Sequence, residues 1–196
     1  MMKTFDFYFD FASPYGFLAS RKVEALAQAI GRRINWRPFL IGAVYKEHGG
    51  APLSHPLKNA YMFTDVFRRA RLDGVEDMRK PENFPARSVP PARLAYWVER
   101  EAPEHMAEFV KAAYRAYWIE GRDTADPDAA LDAAQSIGLD RNAAAAGASE
   151  PDIKDRLRCE TEAAIKRGVF GSPFIIIDDE PFWGDDRFGD IEKVHG

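Results

Sequence analysis

Strand-like segments stand at the two ends of this chain with a long helical stretch between them, an order that leaves few folds open. Near the N-terminus Phe5, Phe7, Phe9 and Phe11 alternate with Asp6, Tyr8 and Asp10. A period of two rich in aromatics predicts a strand with one well-buried face. Ala19, Val23, Leu26, Ala27 and Ile30 then recur at helical spacing, and Gly31 supplies a C-terminal stop. In "RRINWRPFLIG" Ile34, Trp36 and Pro38 alternate with Arg33, Asn35 and Arg37, predicting a second strand with Pro38 near its end or at a sheet edge. Strand, helix and strand make a βαβ unit, whose strands run parallel through a right-handed crossover.

At the other end, "VFGSPFIIIDDEPFWGDDRF" holds an apolar strand at 174–177, a turn at Asp178-Asp179-Glu180-Pro181 and a short strand at Phe182-Trp183. That pattern predicts a β-hairpin, and "DIEKVHG" a short terminal helix. In between, "GAVYKEHGGAPLSHP" reads as a loop, and "LKNAYMFTDVFRRARLDG" as a helix burying Tyr61, Met62, Val66 and Phe67. A proline-broken connector, "VEDMRKPENFPARSVPP", precedes helical runs at about 92–101, 104–120, 127–137 and 153–167. "GLDRNAAAAGASEP" separates the last two. Neither end can bury its strand faces alone, so the terminal strands must share one sheet. The expected fold class is α/β: a thioredoxin-like fold (βαβ…ββα) with a large inserted all-helical domain. Its boundaries are expected at 1–44 and 169–196 for the discontinuous thioredoxin-like domain, and 45–168 for the helical one.

Composition narrows the function classes. At 46% hydrophobic and 13% aromatic, 196 residues can bury a sizeable core. Lys and Arg number 27 against 31 Asp and Glu, and the formal net charge of −4 carries no footprint for a nucleic-acid partner. No apolar run reaches the length of a membrane span, and "MMKTFDFYFDF" lacks a signal peptide's continuous apolar segment, so a cytoplasmic location is expected. The single cysteine, Cys159, excludes an internal disulfide and a Cys-X-X-Cys redox centre; it reads as packed or indifferent rather than as a nucleophile. His48, His55, His105 and His195 have no metal-ligand spacing, and no bound metal is expected.

Chemistry concentrates in three short stretches. Ser13-Pro14 follows the first strand; Ser is a preferred N-cap and Pro is favoured at the first helical position, so a cap alone accounts for the pair. The same geometry serves a second role. Unpaired N–H groups at a helix start stabilise an anion, and a thiolate there has a lowered pKa. With no cysteine nearby, that thiol would come from a bound ligand, and Ser13 would donate its hydroxyl to the sulfur. Gly171-Ser172-Pro173 is either a loop leading into a strand or a cis peptide that turns backbone groups toward a ligand. Trp183-Gly184-Asp185-Asp186-Arg187 is either a helix start with acidic residues in its first turn or an anchor for a charged ligand.

Taken together, "FYFDFASPYGFLA" (7–19), "FLIGAVYKEHG" (39–49), "KRGVFGSPF" (166–174) and "FWGDDRF" (182–188) make the chain resemble the 2-hydroxychromene-2-carboxylate isomerases. Those enzymes are relatives of the kappa-class glutathione transferases and of the DsbA-like thioredoxin branch, and the similarity spans nearly the whole chain. The resemblance implies a glutathione-dependent isomerase that interconverts 2-hydroxychromene-2-carboxylate and trans-o-hydroxybenzylidenepyruvate in aromatic-hydrocarbon breakdown. Glutathione is the implied cofactor, a small aromatic acid the substrate, and a homodimer the assembly. By position, Ser13 matches the family's catalytic serine. Ser172 and Pro173 match the loop that meets the cysteinyl part of glutathione, and Trp183, Gly184, Asp185 and Asp186 the segment that holds its γ-glutamyl end. Lys46 stands where the family often has an active-site lysine, and Lys58 is a second candidate for an anionic carboxylate. Relatives commonly carry Asn near His48-Gly49-Gly50 and Asn at the position of Arg87. These departures bear on the substrate more than on the fold, and Arg87 is itself a candidate for a substrate carboxylate. The alternatives are a kappa-class-like transferase, which consumes thiol, and a non-catalytic thioredoxin-like binding module.

Overall fold

The structure is a computed structural model that describes residues 2–49 and 54–196. Four strands form one mixed sheet in the order β2-β1-β3-β4. Strand β1 (Thr4–Phe9) pairs in parallel with β2 (Arg33–Pro38), placing Phe7 beside Trp36 and Phe9 beside Pro38. On its other side β1 runs antiparallel to β3 (Phe174–Ile177), which continues into β4 (Glu180–Trp183). Pro38 therefore ends an edge strand, where its missing N–H costs no ladder bond.

The crossover helix is broken in two. Helices α1 (Pro14–Ser20) and α2 (Val23–Ala29) are separated at Arg21-Lys22, where the chain tightens through bonds from Arg21 N to Leu18 O and Lys22 N to Ala19 O. The single helix expected from the spacing is corrected on this point. Its apolar face survives the bend, with Ala19, Val23, Leu26, Ala27 and Ile30 all buried. Lys22 is freed at the break to reach carboxylates on other elements.

Both sheet faces are covered. Phe5, Phe7 and Phe9 point into the main core, where Tyr114 and Phe109 of α6 (Met106–Trp118) join Phe11, Phe17 and Trp36. Tyr8, Phe174 and Ile176 point the other way. They meet Val44 of α3 (Ile41–His48) and Ala164 of α9 (Pro151–Lys166). Helices α4 (Pro56–Leu72), α5 (Val89–Glu101), α7 (Pro127–Ser136) and α8 (Arg141–Ala148) complete the insertion, and α10 (Phe188–His195) closes the chain. The fold is thus a thioredoxin-like sheet carrying a helical insertion.

Several local expectations change. Residues 42–48, read as loop, belong to α3, and Gly50 lies outside the described residues. Helix α8 arises inside the segment read as a linker. The Asp140 carboxylate caps it by accepting from Ala143 N at 2.7 Å, and Gly147 lets the Trp97 indole lie against its backbone. On α4 Val66 is buried and Met62 and Phe67 are half-buried, but Tyr61 is 62% exposed. The hairpin turn is Asp178-Asp179 alone, both in the left-handed region (φ 48° and 68°), as a two-residue primed turn requires. Arg32 holds Asp178 with two hydrogen bonds of 2.8 and 2.6 Å.

Candidate functional site

The end of β1 delivers the chain to a cleft of about 1500 Å³ between the sheet and the insertion. Its walls come from the β1–α1 loop, α3, α4, the segment 84–89 and the loops on either side of the β3–β4 hairpin. Ser13, Ser172, Pro173, Trp183, Gly184, Asp185, Asp186, Lys58 and Arg87 all line it, though they come from five stretches of sequence. Lys46 does not. It is exposed on α3, whose turn presents its neighbour Tyr45 to the cleft instead.

Ser13 has two bonds that use different parts of its hydroxyl. The oxygen accepts from Gly16 N at 3.0 Å, capping α1, while the hydroxyl hydrogen goes to Ser172 O at 2.7 Å. A cap consumes a lone pair, and a contact to sulfur would use the hydrogen, so the two roles do not compete. The Ser172–Pro173 peptide is cis. The Ser172 hydroxyl accepts from Asp10 N at 2.9 Å, and Pro173 O accepts from Gly184 N at 3.1 Å, tying the two late segments together. Gly16 allows this closeness. A Cβ there would stand 3.0 Å from Ser172 Oγ and 3.2 Å from Ser13 Cβ, and nearer still to the Tyr114 hydroxyl.

Beneath Ser13 lies Asp10, 3% exposed, a residue that sequence reasoning passed over. Its carboxylate accepts from Ala12 N (2.8 Å), Ser88 Oγ (2.6 Å) and Ile41 N (2.8 Å). Its backbone oxygen accepts from Ser13 N (2.8 Å) and Tyr114 Oη (2.9 Å). One residue thereby joins β1, α1, the first turn of α3, the start of α5 and helix α6. Burial pushes the Asp10 carboxyl up, outweighing the three donors that pull it down. The only sequence signal was an acidic residue at the end of an aromatic strand, with no visible partner.

The charged rim is largely self-paired. Asp185, whose side chain is fully buried, receives Lys22 Nζ and Arg69 Nη2, each at 2.6 Å. Lys22 also meets Asp73 at 2.8 Å; burial opposes its charge, but the two carboxylates prevail and hold its pKa up. Arg69 lies over the Tyr15 ring, 5.6 Å from its centroid, and the Tyr15 hydroxyl donates to Asp65 at 2.9 Å. Asp186 is exposed and held below the usual carboxylate range by Arg187 at 2.8 Å. Trp183, 56% exposed, packs edge-on to Phe170 and lies close over Gly171, where no side chain would fit beneath it.

Sheet topology, the serine-capped first helix and the cis-proline loop facing it define a thioredoxin-like domain whose site contains no cysteine. Comparison with known proteins agrees: the model of the DSBA-like thioredoxin domain matches residues 4–194. The chain belongs to the DsbA-like thioredoxin family, in the branch of the 2-hydroxychromene-2-carboxylate isomerases. It is 33% identical to the 2-hydroxychromene-2-carboxylate isomerase of Sphingobium xenophagum, over 98% of each chain. A solved structure of a 2-hydroxychromene-2-carboxylate isomerase superposes with a TM-score of 0.85 at 29% identity, covering 97% of this chain and 93% of the other. Glutathione S-transferase kappa 1 of Homo sapiens is 25% identical over 89% of this chain and 80% of its own.

Proposed function

We propose that the protein is a glutathione-dependent isomerase that interconverts 2-hydroxychromene-2-carboxylate, or a closely related aromatic acid, with its ring-opened trans-o-hydroxybenzylidenepyruvate form. The observation that carries the reading is the Ser13 hydroxyl at the wall of a wide cleft, whose oxygen keeps the helix capped while its hydrogen rests on Ser172 O. The chain's similarity to isomerases over its whole length supports it. When bound, glutathione supplies a thiolate that adds reversibly to the substrate, so that a double bond becomes single, rotates and re-forms.

The residues fit such a tripeptide. Asp186 offers a carboxylate to an ammonium group, and Arg69 and Arg187 offer cations to carboxylates at the same rim. Asp185 acts through Lys22 and Arg69, since both carboxylate oxygens are taken. Ser172 presents backbone beside Ser13, and Trp183 with Gly184 shapes the wall next to it. Ser13 turns its hydrogen from Ser172 O to the sulfur. Hydrogen bonding to the charged form lowers a pKa, which keeps the thiol ionised. Helix α1 is short and sums few aligned peptide dipoles, so the hydroxyl is the larger influence. Lys58 and Arg87, both exposed on the cleft wall, would hold the anionic carboxylate of the substrate.

The test is a spectroscopic isomerisation assay on the chromene with and without glutathione. Turnover that requires glutathione and conserves free thiol is expected; flat traces under both conditions overturn the reading. Similarity to kappa transferases favours one second reading, conjugation, in which free thiol disappears with turnover. The same proposal carries a cytoplasmic location and a homodimer, checked by fractionation and sedimentation.

A further inference from the structure

Helix α3 presents one polar side chain to the cleft, and it is Tyr45 rather than the adjacent lysine. Val44 is buried against the sheet, and Lys46, Glu47 and His48 are exposed, so the helix turns Tyr45 alone of these toward the cavity. Among the described residues its hydroxyl has no hydrogen-bond partner. Tyr15, across the same cleft, differs in this respect, since its hydroxyl is committed to Asp65. A half-buried hydroxyl without a partner, facing a ligand-sized cleft, is a group waiting for a polar atom on what binds there.

We propose that Tyr45 is a further catalytic residue, donating its hydroxyl hydrogen to the ketone oxygen of the aromatic acid in the cleft. The identity of that oxygen rests on the isomerase reading; the test below does not depend on turnover. When a thiolate adds to an α,β-unsaturated ketone, one S–C bond forms and the π pair of the C=C bond moves toward the ketone oxygen. Elimination breaks the S–C bond and returns the pair. A donor fixed at that oxygen stabilises the charge while it is there, and needs to transfer no proton. Tyr45 suits this role because burial, with the nearby Asp10 charge, pushes its pKa up to about 12. It stays a neutral donor at working pH. Lys58 and Arg87 line the same cleft and leave the carboxylate of the same molecule to a cation.

The experiment uses the full chain without glutathione and benzylidenepyruvate as probe, which has the ketone and carboxylate but lacks the phenol needed to close a ring. Binding is followed by calorimetry, and polarisation of the carbonyl by the red shift of the probe's enone absorption. The parent is expected to bind with a red shift. Tyr45→Phe, checked for an unchanged Tm, should bind about three- to tenfold more weakly, the worth of one neutral hydrogen bond, and lose the shift. A Tyr45→Phe variant that matches the parent in affinity and spectrum overturns the assignment, as does a parent that does not bind the probe. Absence of chromene turnover with the probe signals intact would overturn the isomerase reading and leave Tyr45 as a donor to the ketone of a bound ligand.

Discussion

Gly16→Ala puts one methyl group where the structure has no room for it. The new carbon would lie 3.0 Å from Ser172 Oγ and 3.2 Å from Ser13 Cβ, and its nearest neighbour would be the hydroxyl of Tyr114, a fully buried residue. Tyr114 cannot swing away without giving up its 2.9 Å bond to the Asp10 backbone oxygen. Overpacking of this kind costs about 1–3 kcal/mol, and the lost buried hydrogen bond about 1 more. Replacing Gly by Ala inside a helix returns about 1 kcal/mol. The net is a loss of about 1–3 kcal/mol, which for a chain of this size lowers Tm by about 2–12 °C. Gly189→Ala on α10 is the control, because no atom lies within 4 Å of its Cβ position. Propensity acts alone there, and Tm should hold or rise by about 2–4 °C. Thermal melts of both variants and the parent decide the matter. A Gly16→Ala protein that melts at or above the parent would refute the argument that Ser13, Ser172 and Tyr114 are packed through this glycine.

Ser88→Ala removes the hydroxyl donor from the buried Asp10 carboxylate and should destabilise the fold by about 1–3 kcal/mol in urea titrations at neutral pH. Burial already holds the folded pKa of Asp10 above its unfolded value, so its contribution to stability falls as pH rises through that window. The variant should therefore lose more against the parent as pH rises, and a difference independent of pH would count against the Asp10 account. Asp178 behaves in the opposite sense. Its hydrogen bonds from Arg32 depress its pKa to about 2, so the stability it contributes is present above the ordinary carboxylate pKa and lost as pH falls through about 2. Arg32→Ala should raise the Asp178 pKa toward the ordinary carboxylate range in an NMR titration, and a value still near 2 would be contrary to this.

Much of the fold was legible because local pattern and tertiary demand coincide. Phe5, Phe7 and Phe9 alternate in the sequence and share one core face. The late hairpin declares itself through an apolar strand and a turn, although only left-handed φ values at Asp178 and Asp179 reveal how short the turn is. Helix α3 was hidden because its glycine and histidine are poor helix formers, and Val44 anchors it through packing against Tyr8 and Phe39, which no local window contains. Tyr61 was assigned to the core by its spacing, yet its face of α4 lines the cleft, so the same aromatic signal marked a site wall. In the site, Ser13, Ser172 and the Trp183–Asp186 run stood out through their turn chemistry and resemblance. Asp10 did not, because its partners Ile41 and Ser88 lie 31 and 78 residues away. Tyr45 stayed unseen for a geometric reason: one residue along a helix rotates a side chain by about 100°, and only the packed position of α3 decides which residue faces inward.

The role of Ser13 is tested most directly on the thiol itself. Titration of glutathione bound to the parent and to Ser13→Ala, read by thiolate absorption in the ultraviolet, reports the pKa that the hydroxyl is held to control. The account predicts a bound thiol with a pKa below that of free glutathione in the parent, shifted upward in Ser13→Ala even where the protein remains folded after losing about 1 kcal/mol with its cap. Equal thiol pKa values in the two proteins would contradict it and leave Ser13 a helix cap.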